Sequence, residues 1–276
     1  MKVRLEKISI IGVGLMGGSL ALAIKKVYPN VSVWGYARSE KSYRKLNKLK
    51  LVDEVSVDLN DLLKGSNMII LATPVLTIID YFKRIAPFLE KESIVIDLGS
   101  TKFTIEKMAK KYLPKYVNFV GCHPLCGSNR CGPQNAYGEI YKGSVCIITS
   151  LNKATPFVKR FWEKLGCKVY FMSPSLHDKV LSYVSHLPHV VSYALSCAVP
   201  KKYFVFSSGS FRDVTRISAS SPQIWHDVFL SNNRNVIKQI DRYIKVLESF
   251  RKAIKNSDTK GILKLIRMAN KKHICI

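Results

Sequence analysis

Acidic residues are scarce in this chain of 276 residues: 19 Asp and Glu stand against 44 Lys and Arg, a formal net charge of +25. A field of that sign draws anions, whether nucleic acid, an acidic membrane or a small multiply charged substrate. The cations are spread along the whole chain and gather in no arm, stripe or aromatic-interleaved patch, so no nucleic-acid partner is expected. A Lys-rich solvated surface is the reading adopted. No stretch reaches the roughly 18 uninterrupted apolar residues of a membrane helix, so no membrane partner is expected. The N-terminus imitates a secretory signal, with Lys2, Arg4 and Lys7 before an apolar run. Gly12, Gly14, Gly17 and Gly18 interrupt that run and argue against the signal. C-x-x-C pairs are missing too. Seven cysteines form an odd set that fits neither a disulfide framework nor a zinc ribbon and suits a reducing cytoplasm, the expected location. Cys122, Cys126 and Cys131 lie beside His123, but their spacings match no common zinc pattern, and no metal is expected.

What is present is the composition of a globular protein, 47% hydrophobic and 23% charged. Short β-branched runs at 7–11, 31–36, 68–72, 94–98, 117–121, 145–149 and 168–172 alternate with helical patterns at 15–27, 39–49, 102–112 and 154–165. That alternation predicts an α/β fold with a mainly parallel, doubly wound sheet. After Ser173 strand-like runs become rare, and helical patterns cover 176–198, 224–256 and 259–269. Ile237, Ile240, Ile244, Leu247, Arg251 and Ile254 recur at steps of three and four, an apolar stripe with one charged interruption. A boundary is therefore expected near 173, with an α/β domain over 1–173 and an all-helical one over 174–276.

Gly12-Val13-Gly14-Leu15-Met16-Gly17 follows a strand and opens a helix. In that context the first glycine makes a tight turn and the second lets the backbone approach a pyrophosphate. The third lets helix and strand pack closely, while the helix N-terminus offers aligned N–H groups. The expected cofactor is therefore NAD or NADP. NAD enzymes commonly carry a carboxylate after the second strand, but here Tyr36 is followed by Ala37, Arg38 and Ser39. Arg38 and Ser39 suit a 2′-phosphate, a slight lean to NADP; Glu40 serves NAD if the turn is one step longer.

In such a sheet, ligands bind beyond the carboxyl ends of the strands. Thr73-Pro74, then Asp97-Leu98-Gly99-Ser100-Thr101-Lys102, then Cys122-His123-Pro124 fall at those ends. His123, held between a strand end and a proline beside Ser100, is placed to take a proton from a hydroxyl as hydride leaves the same carbon. In the helical half, Pro188 interrupts a helix within Ser185-His186-Leu187-Pro188-His189, and kinks of this kind shape pockets. Arg216, in Asp213-Val214-Thr215-Arg216, offers a planar fork for a carboxylate.

Taken together, Gly12–Gly17, 97–102, Gly121 with His123, Pro124 and Gly127, 185–189, and Asp213-x-Thr215-Arg216 with Trp225 closely resemble the prephenate/arogenate dehydrogenase family. The resemblance runs from about residue 6 to 235, and its histidine and arginine motifs are far more specific than the glycine fingerprint. It implies a Rossmann domain, a helical domain that forms a homodimer, and oxidative decarboxylation of prephenate in tyrosine biosynthesis. Arogenate is the alternative substrate. Another enzyme of the β-hydroxyacid dehydrogenase-like group, or a basic Rossmann-fold nucleic-acid binder, is a more remote alternative, although the first group's catalytic lysine is replaced here by the two histidines and the second has no recognition motif in this chain. By resemblance, His123 hydrogen-bonds the ring hydroxyl and Ser100 orients it near the nicotinamide. His189 and Arg216 bind the substrate's carboxylates, His186 and Ser128 line the pocket, Asp213 steadies the segment of Arg216, and Trp225 reaches in from the second subunit. Relatives often carry an acidic residue where this chain has Asn129, which suits the ammonium of arogenate. A neutral amide beside Arg130 predicts a preference for prephenate.

Overall fold

The computed structural model describes residues 4–127 and 130–273. Eight short strands make one sheet: β1 (Lys7–Ile11), β2 (Ser32–Tyr36), β3 (Glu54–Ser56), β4 (Met68–Leu71), β5 (Ile94–Asp97), β6 (Asn118–Pro124), β7 (Val145–Ile148) and β8 (Lys168–Phe171). Their order is β3-β2-β1-β4-β5-β6-β7-β8. The first six run parallel, which requires crossovers between them. Helices α1 (Leu15–Val27), α2 (Glu40–Leu49), α3 (Leu59–Leu63), α4 (Val75–Ile85) and α5 (Phe103–Tyr112) supply most of these, and α6 (Thr155–Lys164) joins β7 to β8.

Successive strand side chains point to opposite faces. Ile8, Ile10, Met68, Ile70, Ile94 and Ile96 pack on one face with α1 and α6, through Leu20, Ile24, Phe161 and Trp162. On the other, Ile11, Ile69, Leu71 and Val95 meet Ile78 and Phe82 of α4 and Ile105 of α5. Burial on both faces explains why these strands read as unbroken apolar runs.

The far edge departs from the parallel expectation. β7 pairs antiparallel with β6, while β8 runs parallel to β7. Only short 3-10 turns, Pro133–Asn135 and Gly138–Tyr141, lie among the described residues between β6 and β7, so no helix returns the chain for a parallel pairing. This edge also lengthens β6. Its parallel ladder with β5 ends at Asp97 opposite Gly121, and β7 then takes over, setting His123 opposite Ile147. His123 therefore lies inside a strand, not just after one.

The second half is helical: α7 (Pro174–Leu181), α8 (Leu187–Ala198), α9 (Gly209–Thr215), α10 (Pro222–Ser231), α11 (Asn233–Lys255) and α12 (Thr259–His273). The single helix expected over 176–198 is divided by one π turn, Ser182–His186, which places Pro188 in the first turn of α8, where its missing N–H costs little. That expected over 224–256 is broken at Asn232, whose backbone leaves helical geometry at φ −120° and ψ 27°. Its buried side chain is drawn inward by hydrogen bonds to the carbonyl of Asp178 and the ring of His186. Ile237, Ile244, Leu247 and Ile254 of the apolar stripe are exposed on the single chain. Among the described residues no helix is long and apolar enough to cross a membrane.

Candidate functional site

β1 and β4 are neighbours in the sheet, yet α1 and α4, which follow them, pack on opposite faces. That reversal opens a crevice at the strands' carboxyl ends. Gly12 there has φ +101°, and a Cβ on it would come within 2.7 Å of the Ala72 backbone. A Cβ on Gly17 would lie 2.3 Å from the Gly12 carbonyl oxygen, whereas on Gly14 it would meet nothing within 4 Å. The first and third glycines are thus closed in by chain, and the second faces open space. Gly14 begins α1 with no side-chain cap, so the N–H groups of the first turn, which includes Leu15 and Met16, are left for an anion. Across the crevice, Thr73 follows β4 with its Oγ1 buried and unpartnered, and Pro74 starts α4.

β5 and β6 deliver the next group. The buried Asp97 carboxylate accepts the N–H of Gly99 at 2.8 Å and that of Cys122 at 3.3 Å, and it pairs with the buried Lys102 ammonium. It therefore ties together the loop that carries half-buried Ser100 and the strand that carries His123. His123 is 9% exposed. Its Nδ1 lies 2.9 Å from Nε2 of His177, whose Nδ1 lies 2.8 Å from Oδ1 of Asp178. Burial above all, with His177, Lys102 and His186 adding to it, holds the His123 imidazole well below its usual titration range. It is a neutral ring at neutral pH.

The helical half closes over this point. The π turn and Pro188 present His186 and His189 to one indole: Trp225 of α10 stacks on His189, ring centroids 3.5 Å apart, and meets His186 edge-on at 6.0 Å. Within the single chain Trp225 thus contacts its own two imidazoles, and Phe229, one turn on in α10, meets Tyr193 of α8 edge-on at 6.5 Å. Asn232 Nδ2 donates to Nδ1 of His186 at 3.1 Å, so a neutral His186 carries its proton on Nε2, which is buried and unpartnered. Burial pushes the His186 pKa down to about 4. His189 Nδ1 donates to the Ser185 carbonyl at 2.9 Å, which leaves the lone pair of a neutral ring on Nε2. Arg216 begins a turn, Arg216–Ala219, held against α8 by Ser196 on Ser218; its side chain and Asp213 are exposed on the single chain. Arg216 is thus exposed rather than buried with the imidazoles. Ser128 and Asn129 lie outside the described residues.

His177, Asp178 and Asn232 were not legible as site residues. The only hint was a His-Asp pair between apolar Leu176 and Val180, a pattern that a polar helix face also produces. Arg84 was missed as well. It projects from α4 to the end of β2, donating to the Tyr36 hydroxyl at 3.3 Å, and its guanidinium lies 4.6 Å from the centre of the Tyr81 ring. Arg38 and Ser39 are exposed at the same strand end; the Ser39 hydroxyl caps α2, and Glu40 accepts from Arg44 at 3.0 Å. Cys122 is buried, Cys126 half-buried and Cys131 exposed, and among the described residues no group of three His, Cys, Asp or Glu is placed to hold a metal.

Residues 20–171 match the family model for the prephenate dehydrogenase nucleotide-binding domain, and residues 173–268 that for its dimerization domain. The chain belongs to the prephenate dehydrogenase family. It is 33% identical to the cyclohexadienyl dehydrogenase of Zymomonas mobilis, covering 98% of this chain and 96% of that one. It is 30% identical to the prephenate dehydrogenase of Bacillus subtilis, covering 96% and 74%. The Aquifex aeolicus prephenate dehydrogenase, solved with hydroxyphenyl propionate and NAD+, superposes with a TM-score of 0.91 at 30% identity and 99% coverage of both chains. Synechocystis arogenate dehydrogenase does so at 0.80 and 28%, covering 97% and 98%. Like its relatives in the prephenate dehydrogenase family, this chain is an oxidoreductase with a nucleotide-binding domain followed by a helical one.

A dinucleotide fits the residues present. The open side of Gly14, the uncapped start of α1 and the unpartnered Thr73 hydroxyl are three features that a bound pyrophosphate and nicotinamide ribose would complete.

Proposed function

We propose that this prephenate dehydrogenase family member acts on prephenate itself, with His123 as the proton acceptor. The observation that carries the reading is a buried, neutral imidazole at the carboxyl edge of the sheet, next to the strand whose loop bears Ser100. Gly12, Gly14, Gly17, Leu15, Met16, Thr73, Pro74 and Gly99 would hold the dinucleotide. When bound, the nicotinamide supplies the two-electron acceptor for the ring carbinol. The carbinol O–H must lose its proton in the same event, and a neutral His123 is free to take it. Ser100 orients that hydroxyl. Loss of the ring carboxylate as carbon dioxide then leaves an aromatic ring, which makes the step irreversible.

Prephenate is a dianion, and the groups assigned to it suit that charge. His186 offers an unpartnered Nε2–H, His189 gains the ability to donate once an anion draws a proton onto its ring, and Arg216 pairs with a carboxylate. Trp225 keeps both imidazoles in place. The preference for prephenate over arogenate rests on Asn129 in the sequence. A second copy of the chain covers the exposed stripe of α11, giving a homodimer.

For the cofactor, NADP is the finer reading. Arg84 joins Arg38 at the end of β2, while Glu40 is engaged by Arg44, so the two guanidiniums would suit a ribose 2′-phosphate. The cytoplasm is the proposed location. Steady-state rates with prephenate and arogenate, each with NAD and NADP, test these assignments. A higher kcat/KM for arogenate would overturn the substrate reading, and a higher one for NAD the cofactor reading.

A further inference from the structure

A carboxylate and two imidazoles run in line from the start of α5 to His123. We propose that His177 and Asp178 are positioning residues that fix His123 as the tautomer protonated on Nδ1, so that Nε2 is its basic nitrogen. This rests on the reading of His123 as proton acceptor and adds what prepares it.

The polarity of the chain is set at its far end. Asp178 Oδ1 accepts the backbone N–H of Lys102 at 2.7 Å, and Oδ2 accepts that of Phe103 at 3.0 Å. Backbone N–H groups cannot reverse direction, and they hold the carboxylate at the N-terminus of α5, where an anion is favoured. An ionised carboxylate only accepts hydrogen bonds, so Nδ1 of His177, 2.8 Å away, must carry a proton. A neutral His177 then has a lone pair on Nε2. His123 Nδ1 sits 2.9 Å from it and must donate. That leaves the lone pair of a neutral His123 on Nε2. The opposite arrangement would set the His177 Nδ1 lone pair against Asp178 inside a site where both side chains are buried.

Both rings are uncharged in this state. Burial lowers the pKa of each, and Lys102 and His186 push His123 the same way. Asp178 and Asp97 pull His177 upward, but burial outweighs them. When the substrate O–H bond breaks and an N–H bond forms at His123 Nε2, the proton on Nδ1 stays. The new imidazolium is then stabilised through His177 by the Asp178 charge. His177 and Asp178 come from α7 in the helical half and His123 from β6, so the tautomer is correct only where the two halves are docked.

The test uses the whole chain in solution, in whatever assembly it forms. His177→Gln supplies an oxygen acceptor in place of the imidazole Nε2, whereas His177→Leu removes the acceptor. His177→Leu is expected to lower kcat for prephenate roughly 10- to 100-fold with KM within about twofold and to shift the acid limb of the kcat–pH profile. His177→Gln is expected to recover most of kcat. Equal losses in the two variants, or an unchanged kcat in His177→Leu, overturn the proposal. Nitrogen-15 NMR of histidine-labelled protein reads the tautomer without turnover, and is expected to show His123 protonated on Nδ1 in the wild type and mixed in His177→Leu. Protonation on Nε2 in the wild type overturns the relay whatever the kinetics. If instead His123→Asn retains full turnover, the proton-acceptor reading fails while the tautomer result stands on its own.

Discussion

The Asp227 carboxylate, buried on α10, accepts the backbone N–H of Leu76 at 3.1 Å in the first turn of α4. Its other oxygen accepts from Gln223 and His226, each at 3.0 Å. Like Asp178 of α7, which accepts from the start of α5, it is a carboxylate by which the helical half grips the N-terminus of a helix in the α/β half. α4 follows β4 and α5 follows β5, so the two contacts tie the helical half to the carboxyl ends of neighbouring strands.

Asp227→Ala leaves the Leu76 N–H without its buried partner and removes a carboxylate from a helix N-terminus. Unfolding free energy is expected to fall by about 1–3 kcal/mol, measured by denaturant titration. A change below about 0.5 kcal/mol would mean that the halves are held together by other contacts.

His123→Asn removes the proposed proton acceptor without opening a large cavity. We expect kcat for prephenate to drop about 10²- to 10⁴-fold, while binding of the reduced cofactor, followed by its fluorescence, stays near wild type.

Arg216→Ala is expected to raise KM for prephenate at least tenfold with a smaller change in kcat, as uniform ground-state binding predicts. Arg216→Lys is expected to recover little, because an ammonium lacks the planar fork. An unaltered KM in both would assign Arg216 a purely structural part.

Arg84→Ala and Arg38→Ala are each expected to weaken NADPH binding several-fold while leaving NADH within about twofold. Fluorescence titration of the two reduced cofactors provides the comparison, and equal losses for both would remove the 2′-phosphate from the picture.

Stability is expected to fall in mild acid. The folded-state pKa of His186 is about 4, below its unfolded value of about 6.5. His123 and His177 are shifted in the same direction. The unfolded chain therefore binds more protons between these values, so the stability is fully present above about pH 6.5. It is lost progressively as pH falls towards 4, on the order of 3 kcal/mol for His186 alone. Thermal melts between pH 7.5 and 4.5 should show this slope, and His186→Asn should flatten it.

The sequence by itself determined the parallel sheet, the glycine turn and His123, because each is encoded by neighbours: strand runs of Ile, Val and Leu, a G-x-G-x-x-G spacing, a histidine locked before a proline. Short elements such as β3 and α3, with five or fewer residues, are too brief to show a period. The antiparallel turn of β7 depends on which strand it finds, and the break at Asn232 depends on His186 and Asp178, 46 and 54 residues away. Only the tertiary structure could bring His177 to His123 across the two halves, since a hydrogen bond between residues 54 apart leaves no local pattern in the chain. Which histidines are proposed for the site was partly written in the sequence. Which nitrogen of each is basic was decided by the packing of α7 on α5, where two fixed N–H groups orient a carboxylate and, through it, two rings.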